Sequence, residues 1–144
     1  MGPLSNGKRI WLARVLVAIV FVINVQCALQ FIIWPDAYTA AYQVEGASAE
    51  VMVRTVGICF LMWNATYPPV IVRPERFRAL FGVMLAQQTI GLIGESLLLS
   101  GLQPGLEVLA SSIVRFIVFD AAGLVLLTVA FFITRKVRSG QTSD

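Results

Sequence analysis

Four charged side chains interrupt long apolar runs of this 144-residue chain: Arg54, Glu95, Arg115 and Asp120. Among the carboxamides that do the same, Asn24, Gln30, Asn64 and Gln88 stand out. Each type has a definite chemistry. A carboxylate such as Glu95 or Asp120 accepts hydrogen bonds and can carry a proton. An arginine presents a planar fork of donors that fits a carboxylate, a phosphate or a carbonyl oxygen. Much other chemistry is excluded. The chain has no histidine and two cysteines, Cys27 and Cys59, which form no C-x-x-C pair. The usual zinc, haem and di-iron ligand sets therefore cannot be assembled, nor can a Ser-His-Asp or Cys-His catalytic pair. No cofactor and no catalytic residue is assigned. The two cysteines read as small apolar fillers, with a bridge between them as the alternative.

The elements that carry these residues are apolar. The composition is 58% hydrophobic and 13% charged, against about 25% charged in a soluble domain. The net charge of +3 comes from short patches rather than one basic face, so a nucleic-acid partner is excluded. A membrane-crossing helix needs about 20 mainly apolar residues. Four stretches qualify, at about 13–34, 51–72, 79–99 and 108–133. The expected fold is all-α, a polytopic antiparallel four-helix transmembrane bundle. A segment 1–12 precedes the four-span domain 13–134, and a tail 135–144 follows it. The breaks are chemically marked by Trp34-Pro35-Asp36, Pro68-Pro69, Arg73-Pro74-Glu75-Arg76 and the Gly101-to-Gly105 turn. Lys8 and Arg9 before the first apolar stretch imitate a signal peptide. The stretch is longer than the ~7–15 residues of such a segment, so it reads as a retained anchor.

Basic residues set the orientation. Lys8, Arg9 and Arg14 flank the first span, Arg73, Arg76 and Arg78 occupy the second connection, and Arg135, Lys136 and Arg138 follow the fourth span. The first and third connections carry Asp36, Glu45, Glu50 and Glu107 but neither Lys nor Arg. Both termini are expected on the cytoplasmic side of the cell (inner or plasma) membrane. Tyr38 and Tyr42 belong to an external segment along the interface.

At about 1.5 Å per helical residue, the polar residues sort into two layers. Arg54, Glu95, Arg115 and Gln30 fall roughly 5–10 Å below the outer edge. Asn24, Asn64, Gln88 and Asp120 fall near the midplane of a core about 30 Å thick. Gln88, Gly91 and Glu95 share a face of the third span, and Gly91 would let another backbone approach. Arg54 and Gly57 share a face of the second. Arg115 and Asp120 lie about 140° apart on the fourth, so each should pair with another span. A charge at such depth costs about 2.5–3.5 kcal/mol and calls for a partner or a role. Three readings follow. Arg54, Glu95 and Arg115 form a buried ion cluster that only fixes helix register, with Asp120 bonded to Asn64 or Gln88. Or the layers line an intramembrane pocket, net positive, for a lipid-like, anionic or quinone-like molecule. Or Glu95 and Asp120 serve a membrane enzyme or proton-coupled carrier.

Several features together resemble the DoxX-like small four-helix membrane proteins. They are a first span ending at Trp34-Pro35, a second opening with Arg54-Thr55-Val56-Gly57, the Pro74-Glu75-Arg76 turn, a third span ending in Glu95-Ser96 and a fourth opening with Arg115-Phe116. The likeness covers about residues 10–134. It implies four spans and, through some members, a link to quinone or thiol redox systems. The favoured expectation is a small membrane protein that binds a lipid- or quinone-like ligand, or serves as an accessory subunit. Its partners would be the bilayer, that ligand, and a second copy or a larger membrane complex.

Overall fold

A computed structural model describes residues 5–139, with backbone alone for 136–139. The outer ends of the expected N-terminal segment and tail, 1–4 and 140–144, lie outside the described residues. The described chain is helical. Four helices are long and apolar enough to cross a membrane. The first is α1 (Asn6–Ile33), followed by a short α2 (Asp36–Thr39) and a 3-10 turn (Ala40–Tyr42). The second long element is α3 (Ala47–Asn64) continued by α4 (Tyr67–Val72). Next come α5 (Arg78–Ser100) and α6 (Glu107–Ser139).

Three boundaries, at Asn6, Ala47 and Ser139, run well past the expected spans, and the reason is local. Lys8, Arg9 and Trp11 prolong α1 toward Asn6 because none of them breaks a helix. Likewise α6 continues through Arg135 to Ser139. The second span is interrupted where the sequence demands it. Pro68 and Pro69 have no N–H for the helical ladder, and their rings collide with the carbonyls one turn earlier. Consequently α3 stops at Asn64, and α4 restarts with the two prolines in its first turn, where missing donors cost nothing.

Packing is unequal around the molecule. Helix α1 packs on α3 and α6, and α5 packs on α6. The short α4 reaches both α1 and α5, whereas α3 and α5 make almost no direct contact. At the α4 end, Val17 and Val20 of α1 meet Tyr67 and Val70, Phe81 and Met84 of α5, and Leu127 and Ala130 of α6 in one buried cluster. The α1–α3 seam is close. A Cβ on Gly57 would lie 2.8 Å from the Ala28 carbonyl oxygen, so only glycine allows this approach. Outward faces carry large apolar side chains such as Ile90 (70% exposed) and Val118 (63%). In water these would be a liability; against lipid they are the ordinary surface.

The α1–α3 and α5–α6 connections meet. Gln43 Nε2 donates to the Gly105 carbonyl at 3.1 Å, and Leu109 N–H donates to Gln43 Oε1 at 2.9 Å. Ser112 Oγ donates to the Ala41 carbonyl at 2.8 Å. Gln43 itself takes a left-handed conformation, φ 52°, which turns its amide back toward the α5–α6 loop.

Candidate functional site

Where α3 fails to reach α5, a cavity of about 270 Å³ remains between α1, α3, α5 and α6. Its floor is Tyr67, the upper edge of the packed cluster. Its roof includes Phe60 and Phe116, which pack around the fully buried Phe31 at ring-centroid distances of 5.9 and 6.0 Å. Trp63, Ile90, Gly94 and Leu98 form an exposed rim, so the mouth lies between α3 and α5 and opens on the outer surface of the protein.

The polar residues inside reach it for identifiable reasons. Asn64 ends α3 at the proline break and is 4% exposed. Its Nδ2 donates to the Phe60 carbonyl at 2.7 Å, which leaves Oδ1 buried with no partner. Asn24 Nδ2 donates to the Tyr67 hydroxyl at 3.3 Å. Gln88 Nε2 donates to Asp120 Oδ1 at 2.8 Å and reaches the Asp120 carbonyl at 3.3 Å. The Asp120 carboxylate fits because Gly91 lies opposite; a Cβ there would stand 2.5 Å from Oδ2. Glu95 Oε2 and Gln87 Oε1 are buried without partners as well. A buried acceptor without a donor costs about 1–3 kcal/mol, so three along one cavity are a concentrated defect unless something fills it.

Five of the eight residues singled out from the sequence therefore line one space: Asn24, Asn64, Gln88, Glu95 and Asp120. The other three do not. Arg54 was expected among the outer layer facing Glu95. Its side chain is instead 53% exposed and reaches Glu50 one turn back at 4.0 Å. The reason is rotation: Val53 and Gly57 are the buried face of α3, and Arg54 stands a step of about 100° round from Val53. Gln30 accepts a hydrogen bond from the Tyr38 hydroxyl at 2.7 Å and lines neither cavity. Arg115 lines a second cavity of about 370 Å³ with Tyr38, Tyr42 and Ser112. Cys27, Phe116 and Phe119 form the wall common to both spaces. Burial, above all, raises the Tyr38 and Tyr42 phenols, so both remain protonated. The Arg54–Glu95–Arg115 cluster is not formed, and the main cavity carries two acids rather than a net positive charge. Both cysteines are free, which removes the alternative of a bridge.

No family model matches the chain, and no match appears among curated proteins or solved structures. The site must be read from its own atoms. Among the described residues, no group of His, Cys, Asp and Glu is arranged to hold a metal ion. The cavity residues passed over in the sequence are Gln87, Trp63, Tyr67 and the aromatics of its roof. A signal existed for some of them. Gln87, Gly91, Gly94 and Leu98 recur at intervals of four, three and four, which is one helical face.

Proposed function

We propose that this protein crosses the cell membrane four times as an antiparallel bundle with both termini cytoplasmic. In this reading, the cavity between α1, α3, α5 and α6 binds a small lipid-like molecule that enters sideways from the bilayer. The orientation rests on the distribution of Lys and Arg: nine of the eleven fall near the termini and in the 73–78 turn, and none falls in the two connections joined through Gln43. The resemblance to DoxX-like proteins agrees with four spans and a lipid- or quinone-sized ligand.

One observation carries the binding role: Asn64, 4% exposed, lines the cavity while its Oδ1 is buried without a partner, and the cavity's rim is open to lipid. Packing alone does not account for it. A bundle built only for stability would let α5 close on α3 and either pair this oxygen or replace it. A ligand with a polar head and an apolar tail satisfies both the wall and the mouth.

The test is native mass spectrometry of the purified protein, comparing wild type with Gly94→Phe. Nothing lies within 4 Å of a Cβ at Gly94, so the new ring should occupy the mouth without disturbing the helix. A retained small-molecule adduct on wild type that disappears in the variant is the expected result. An adduct unaffected by Gly94→Phe, or none from native membranes, would contradict the proposal.

A further inference from the structure

The titratable groups of the cavity wall are acids, in a chain whose net charge is basic. The protein carries a net +3, yet among the described residues the ionisable carboxyls in the cavity wall are Glu95 and Asp120, and neither Lys nor Arg lines it. Three carboxamide nitrogens of its wall, Asn24 Nδ2, Asn64 Nδ2 and Gln88 Nε2, already donate within the protein. The acceptors Asn64 Oδ1 and Glu95 Oε2 remain buried and open.

A quinone carbonyl, a carboxylate or a phosphate brings acceptors only and needs donors from its site. Placed here, any of the three would add acceptors to acceptors, and the two anions would also bring negative charge beside two acids. An ammonium group is the reverse: three N–H donors, no acceptor and a positive charge. Charge-assisted bonds to carboxylates are the stronger kind, and the faces of the cavity's aromatic rings attract a cation as well. The apolar rim between α3 and α5 suits a hydrocarbon tail.

We infer that the cavity is selective for an amphiphile headed by a protonated amine, with Glu95 and Asp120 as its charge partners and Asn64 Oδ1 as an orienting acceptor. This rests on the reading of the cavity as a binding site and specifies the ligand class. It replaces the anionic or quinone-like ligand expected from the sequence, because that expectation counted Arg54 and Arg115 as part of the wall.

The experiment titrates the full chain in detergent with three probes of equal chain length (dodecylamine, dodecanol and dodecanoate) and reads the bound fraction by native mass spectrometry. Dodecylamine should bind most tightly. Glu95→Gln and Asp120→Asn should each weaken it by about tenfold or more, the scale of one lost charge-assisted bond, and weaken dodecanol less. Gly94→Phe, which keeps both acids, should abolish amine binding and serves where an acid variant does not fold. Dodecanol or dodecanoate binding as well as the amine, and blocked by Gly94→Phe, would overturn the amine assignment while leaving the site. Amine binding that survives Gly94→Phe would place the amine elsewhere and overturn the inference. Failure of all three probes to bind would overturn the reading of the cavity itself.

Discussion

At one end of the molecule the space between the second and third long elements is filled, and at the other it is open. The difference begins at Pro68-Pro69. Below the break, α4 turns toward α5, and Tyr67 and Val70 close on Phe81 and Met84. Above it, α3 stays with α1, held at Gly57, and leaves α5 to α6 alone. The filled end is apolar throughout its buried cluster. The open end gathers Asn64, Gln88, Glu95 and Asp120. A two-residue proline step thus separates a closed half of a small bundle from a half that keeps a polar chamber open.

The largest expected effect lies at the filled end. Phe81→Ala removes a fully buried ring from the cluster and should cost about 3–5 kcal/mol, read by denaturant-induced unfolding in detergent. A cost near that of an exposed substitution would mean that this end is not the stabilising half.

Two glycines sharpen the contrast. Gly57→Ala drives a Cβ against the backbone carbonyl of Ala28, which cannot move unless α1 and α3 part. Overpacking of this kind should cost about 1–3 kcal/mol. Gly91→Ala drives a Cβ against the Asp120 carboxylate, a side chain beside open space. It should cost only about 0.6 kcal/mol, the scale of one interhelical polar bond such as Gln88–Asp120. The same unfolding assay compares the two, and equal costs would erase the distinction between closed seam and open chamber.

The smallest effect is expected outside both regions. Arg54→Gln removes an exposed one-turn pair and should change stability by less than about 0.5 kcal/mol. A cost of several kcal/mol would instead restore Arg54 to a buried ion cluster.

Much of the fold was legible because length and apolar composition alone define a helix able to cross a membrane. The proline break was legible for the same kind of reason, since proline's missing N–H acts locally. Spacing along each helix was readable too, from a fixed rise per residue. Rotation was not. Arg54 and Gly57 seemed to share a face, yet the seam with α1 is drawn through Val53 and Gly57, and that turns Arg54 outward. Which helix faces which depends on contacts between spans, and these leave little trace in one chain when every face is apolar. The cavity was hidden for a related reason. It exists because α3 and α5 do not meet, a relation between elements that no single element encodes.

The central claim is that the open end holds a ligand bonded to its unpartnered acceptors. A crystal structure of the full chain grown from a lipid phase with dodecylamine tests it most directly. The account expects density for a head group within hydrogen-bond distance of Asn64 Oδ1 and Glu95 Oε2, with the tail leaving between α3 and α5. An unoccupied cavity, or α3 collapsed onto α5 with those oxygens paired to protein donors, would contradict it.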